Sequence, residues 1–131
     1  MKTVKIEHDF PQPADEVWAI FADVTRCDWV PAVEEIKLEG DVRSFEMEGI
    51  GEVQERIVLL DHEARKLQYS AIKARSVLEH HLATIQITGE ESGCHFSWQT
   101  EIAPDEFEPA IQQGMDAAFE QLKRLLSRSE S

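Results

Sequence analysis

Four side chains able to handle protons or charge recur in the middle of the chain at strand spacing: Arg43, Glu55, Tyr69 and His81. Each lies where apolar and polar residues alternate, and each falls on the apolar side of that alternation. On 42–47 this side is Phe45 and Met47, shared by Arg43. On 51–60 it is Val53, Ile57 and Leu59, shared by Glu55; on 66–74 it is Leu67, Tyr69 and Ala71. On 80–88 it is Ala83, Ile85 and Ile87, shared by His81, and on 94–103 it is Phe96, Trp98, Thr100 and Ile102. A desolvated Glu has a raised pKa and a His titrates near neutrality, so Glu55 and His81 suit general acid–base work, with Tyr69 assisting. Arg43 argues the other way, because a cation beside Glu55 keeps it ionised.

Turn residues set the register that would bring these groups together. A turn centred on Gly49 sets Arg43 opposite Glu55, a hairpin centred on Glu63 sets Glu55 opposite Ala71, and one centred near Ser76 sets Ala71 opposite His81. The result is a polar row, Arg43, Glu55, Ala71 and His81, across four neighbouring strands about 4.8 Å apart, with space left by Ala71. A slip of one residue would turn a strand over. Buried charges cost several kcal/mol each unless paired, so the row is either a closed ion-pair network or a wet pocket that orients a ligand's polar group. The plainer readings are a structural Arg43–Glu55 salt bridge and a satisfied core histidine at 81.

The elements that position this row read from the same periodicities. Val4, Ile6 and His8 alternate with polar neighbours as a first strand, which Pro11 and Pro13 stop. Pro13 opens a helix to about Asp23 whose core stripe is Val17, Ile20, Phe21 and Val24, with Asp15 and Glu16 at its positive end. Strands follow near 33–39, 42–47, 51–60, 66–74, 80–88 and 94–103, separated by short turns that imply antiparallel hairpins. Asp105 and Glu108 resemble a capping box, and Met115, Ala118, Phe119, Leu122, Leu125 and Leu126 recur at helical spacing. That last helix, of about twenty residues, spans roughly 30 Å. The order strand, helix, six strands, long helix is an α+β architecture, a single domain over 1–127 with a short polar tail at 128–131.

Composition limits the partners. The 131 residues make one compact domain, and no apolar run is long enough to span a bilayer. Thirteen Lys and Arg against 26 Asp and Glu give a net charge of −13, which repels phosphate backbones and anionic lipid surfaces. Nucleic-acid binding and membrane insertion are therefore not expected, and a cytoplasmic location is. Cys27 and Cys94 read as reduced thiols, and His8, His62 and His95 share no metal spacing, so no metal or cofactor is expected. No serine sits in a nucleophile elbow and no Gly-rich phosphate loop is present.

Four short motifs in order carry a resemblance: Pro13-Ala14-Asp15-Glu16-Val17-Trp18, Asp28-Trp29-Val30-Pro31-Ala32-Val33, Gly51-Glu52-Val53-Gln54-Glu55-Arg56-Ile57, and Ser97-Trp98 ahead of Pro104. Together they resemble the SRPBCC superfamily, the START/Bet v 1-like helix-grip group, in its polyketide cyclase/dehydrase or MxaD-like bacterial branch. The resemblance implies a seven-stranded antiparallel sheet wrapped around a long C-terminal helix, with a ligand cavity between them. It also implies, from hormone-receptor relatives, a polar pocket role for Arg43 and Glu55; His81 stands where such relatives often have a Tyr. Ala74-Arg75-Ser76-Val77-Leu78 replaces a Pro-containing loop, so a gate there is not expected.

The expected activity is binding of a small, largely apolar molecule, lipid-, isoprenoid- or polyketide-like, by a monomer or homodimer. Its contacts would be Arg43, Phe45, Glu55, Tyr69, Ala71, His81, Ala83, Phe96, Trp98, Met115 and Phe119. In this fold, core side chains that fail to fill the sheet-to-helix gap become pocket lining. Gly114 reads either as a tolerated helix glycine or as space for the ligand. The alternatives are a cyclase or dehydratase using Glu55 and His81, and a chaperone-like interaction protein, which would need a large exposed apolar patch.

Overall fold

A computed structural model describes residues 1–129. Seven strands form one antiparallel sheet: β1 (Lys2–Phe10), β2 (Lys37–Glu39), β3 (Val42–Met47), β4 (Gly51–Asp61), β5 (Lys66–Lys73), β6 (His80–Glu90) and β7 (Gly93–Ala103). Their order is β1-β7-β6-β5-β4-β3-β2, so each hairpin from β2 to β7 pairs with its neighbour and only β1 crosses to the far edge. Helix α1 (Ala14–Ala22) follows β1, and α2 (Glu108–Ser129) closes the chain after a 3-10 turn at Asp105–Phe107. This is the expected helix-grip architecture.

The core lies between the sheet's inner face and the two helices. Val17, Ile20 and Phe21 of α1 and Met115, Ala118, Leu122 and Leu126 of α2 are buried with Ile85, Ile87, Phe96 and Trp98 of the sheet. Phe96 is fully covered and stacks with both Phe21 and Phe119, with centroids 5.7 and 6.0 Å away. Gln12, buried in the β1–α1 connection, donates from Nε2 to the Leu126 carbonyl at 3.1 Å and ties the end of α2 to the sheet.

Four local expectations are corrected. The strand expected from 33 begins only at Lys37. Ala32 takes a left-handed φ of 67° and its carbonyl accepts from the Glu48 N–H at 2.9 Å, so the chain turns there instead of extending. On β4, a bulge lets Ile57 pair with Tyr69 but Leu59 with Gln68, leaving Val58 unpaired. Leu60, not Leu59, is therefore the residue packed on the core. Asp105 makes no cap; its carboxylate instead pairs with the Met1 amino group at 2.8 Å, a partner remote in sequence. The polar tail expected at 128–131 is helical through Ser129, because buried Leu122 and Leu126 anchor the last turns; residues 130–131 lie outside the described residues.

Candidate functional site

The inner face of β3, β4 and β5 carries a short polar strip in an otherwise apolar interior. The β3–β4 hairpin centres on Gly49, whose φ of 84° suits the turn, and this sets Arg43 opposite Glu55. Arg43 Nε donates to Glu55 Oε1 at 2.8 Å, with the two side chains only 6% and 13% exposed. Arg43 Nη1 donates to the Val24 carbonyl at 3.1 Å, and its guanidinium lies 4.6 Å from the centre of the Tyr69 ring. The cation thus has a carboxylate, a carbonyl and an aromatic face around it, which is what a buried guanidinium requires.

Burial pushes the Glu55 carboxyl up, and Arg43 pulls against that rise. Burial also pushes the Tyr69 phenol upward, Glu55 adds to the rise, and Arg43 and the Trp98 indole oppose it. The Trp98 Nε1–H is close enough to Tyr69 to act on its titration, yet it is buried without completing a hydrogen bond. Trp98 is held edge-on by Trp29 at 5.6 Å, and Trp29 is itself buried in the core against Phe21.

Ala71 lies opposite Glu55 as expected. The β5–β6 ladder ends at Tyr69 and Ala83, short of His81. There the Ala71 N–H donates to His81 Nδ1 at 2.9 Å, and Ser70 Oγ donates to the His81 carbonyl. An amide N–H can only donate, so Nδ1 is the acceptor and the hydrogen of the neutral ring sits on Nε2. Burial, reinforced by neighbouring His80, lowers the His81 pKa to about 4. The His81 ring is 6.3 Å from that of Tyr69. Glu55 is engaged by Arg43 and the His81 Nδ1 by Ala71, so the bonds that hold the two groups lead to other residues.

The remaining expected contacts are distributed differently. Ala83, Phe96 and Met115 are buried, and Phe119 is half-buried against Phe96, Phe10 and His8. Phe45 is half-buried and lines an open cleft of about 790 Å³ with Val33, Ser44 and Glu52. That cleft lies at the sheet edge, not between sheet and α2, because β2 pairs only with Val42, Arg43 and Ser44 and leaves the rest of β3 uncovered. Gly114 is exposed, and a Cβ there would meet nothing within 4 Å, so it opens no space over the sheet.

Two features escaped the sequence. The Val24 carbonyl is a backbone group and has no residue-type signal. The cleft was hidden because 33–36 reads as strand, although its acidic rim, including Glu34, Glu46 and Glu48, is visible as composition. Asp9, Glu90 and His95 bring potential metal-ligand atoms within 4.8 Å of one another, by strand pairing and not by sequence spacing. His95 already bonds Asp9 at 2.6 Å and Glu7 at 3.3 Å, which accounts for this exposed cluster without an ion. Cys27 and Cys94 are both unpaired thiols.

Residues 1–127 match the family described as polyketide cyclase/dehydrase and lipid transport, within the SRPBCC superfamily. The chain belongs to this family. Its polyketide cyclase/dehydrase-like fold is also that of XoxI from Bacillus cereus, with TM-score 0.88 at 20% identity over 100% of this chain and 99% of that one. Norcoclaurine synthase from Thalictrum flavum aligns with TM-score 0.71 at 20% identity, over 95% of this chain and 86% of that one. A protein from Mesorhizobium loti gives 0.76 at 17% identity, over 97% and 98%. At these identities the likeness shows the fold alone. Comparison with functionally curated proteins gives no match. Among the described residues, no helix is long and apolar enough to cross a membrane.

Proposed function

We propose that the protein binds a small, largely apolar molecule against the inner sheet face, its polar group met by the strip of Arg43, Glu55, Tyr69 and His81. The observation that carries this reading is the Arg43–Glu55 pair, held at 2.8 Å on an apolar face. A register device alone has no need of buried charge, since apolar replacements of such pairs are commonly neutral or stabilising. Family membership supports ligand binding in general. Norcoclaurine synthase, of the same fold, has been captured with dopamine and hydroxybenzaldehyde, so the architecture accommodates small aromatic molecules.

Cyclase or dehydratase chemistry by Glu55 and His81 has less support. Arg43 holds Glu55 Oε1 and the Ala71 amide occupies His81 Nδ1, the ring's one acceptor, so the neutral ring takes up no proton from Glu55 while that bond stands. Native mass spectrometry of freshly purified protein tests the binding reading. The expected result is a species heavier than the 15.0 kDa chain whose excess mass is released on denaturation. A bare chain that also leaves the fluorescence of anilinonaphthalene sulfonate unchanged overturns it.

A further inference from the structure

The hydrogen-bonding inventory of the strip is lopsided, and the imbalance specifies the ligand's polar group. Trp98 Nε1 can only donate, belongs to a residue 4% exposed, and completes no hydrogen bond among the described residues, the neighbouring Tyr69 hydroxyl being the polar group on which it acts. His81 has its one acceptor nitrogen occupied by the Ala71 N–H, so its remaining ring function is the Nε2–H, again a donor. Arg43 is donor-only. The acceptor on the strip that matches these groups in strength is the Glu55 carboxylate, whose Oε1 Arg43 already holds at 2.8 Å. Tyr69 can serve in either sense. A buried donor left without an acceptor is costly, and an incoming acceptor relieves that cost while an incoming donor adds to it.

Resting on the binding reading above, we infer that the ligand presents an uncharged acceptor, a carbonyl oxygen on an apolar skeleton, to the Trp98 N–H beside Tyr69, and that amines of the same skeleton are discriminated against. Neutrality follows from the strip itself. Arg43 and Glu55 cancel, and a second charge brought inside would have no counter-ion.

Three probes of one shape test this by titration calorimetry: acetylnaphthalene, isopropenylnaphthalene and naphthylethylamine. The ketone is expected to bind about tenfold tighter than the hydrocarbon, the difference one satisfied hydrogen bond makes. Trp98→Phe, which keeps an aromatic ring against Trp29, is expected to abolish that preference, so that ketone and hydrocarbon bind with the same affinity, whatever loss both share. In the unmodified protein, the Trp98 indole ¹H–¹⁵N signal is expected to move downfield with the ketone and not with the hydrocarbon; this readout stands even if the variant fails to fold. An amine that binds as tightly as the ketone overturns the inference, and so does an indole signal that stays in place with the ketone bound, as it would if the N–H were served by water only. If none of the three binds, the binding reading itself fails and this inference falls with it. If hydrocarbon and ketone bind equally, only the acceptor assignment falls.

Discussion

Ala71 and His81 are joined across β5 and β6 by a ring where a carbonyl would ordinarily serve: the Ala71 N–H donates to His81 Nδ1 at 2.9 Å, beyond the last regular pair of the ladder, Tyr69 and Ala83. The imidazole thereby completes the sheet at the point where the two strands part, and it can do so only while Nδ1 is unprotonated. Its function as a strand acceptor and its low pKa have the same consequence: the ring stays neutral at physiological pH.

Acid should therefore loosen this corner. The His81 pKa falls from 6.5 to about 4 on folding, so the unfolded chain binds the proton more readily. The neutral ring's contribution is complete above about pH 6.5 and is lost as pH falls toward 4, with a slope of about 1.4 kcal/mol per pH unit. Urea denaturation at stepped pH measures it. His81→Phe is expected to cost about 1–3 kcal/mol at pH 7, from the orphaned Ala71 amide, and to remove this residue's share of the slope.

Arg43→Met leaves Glu55 buried without its counter-charge and is expected to cost about 3–5 kcal/mol at pH 7. With the group that opposes it gone, the Glu55 pKa rises further, so this variant should gain stability as pH falls from 7 toward 5. The double variant Arg43→Met, Glu55→Leu should recover most of the loss. Chemical denaturation of the three proteins forms the test.

The bulge at Val58 makes an unusually sharp pair of expectations. Leu60→Ala should cost about 1–2 kcal/mol because Leu60 packs on the core, whereas Leu59→Ala, at a side chain 36% exposed, should change stability by less than about 0.5 kcal/mol. A regular strand would reverse the two values.

Two glycines should respond in opposite directions. A Cβ on Gly93, whose φ is 144°, would lie 2.0 Å from the Phe10 carbonyl oxygen, so Gly93→Ala should cost at least about 2 kcal/mol. Gly114 lies exposed within α2 with open space around it, and Gly114→Ala should stabilise by about 0.5–1 kcal/mol. Thermal melts of both variants check the signs.

The fold was legible in the sequence because β5 to β7 alternate cleanly and the turns at Gly49, Asp61 and Gly89–Gly93 carry residues that mark where a hairpin reverses. That sufficed to set Arg43 against Glu55 and Glu55 against Ala71. What stayed illegible depends on partners far along the chain. Asp105 has the spacing of a helix cap, but the Met1 amino group reaches it first. Ile36 and Leu38 alternate like a strand, but the chain turns at Ala32 and joins β3 only from Lys37. His81 was assigned to the right row, but its engagement with an amide follows from where β5 and β6 part, which periodicity cannot report.

The edge-on contact between Trp29 and Trp98 supplies an optical readout with no added label. Two indoles at that distance share their electronic excitations, and one of them carries the N–H that faces Tyr69. Any molecule that seats itself there shifts one chromophore relative to the other. Near-ultraviolet circular dichroism of the native chain should register occupancy directly, including that of compounds with no absorbance or fluorescence of their own.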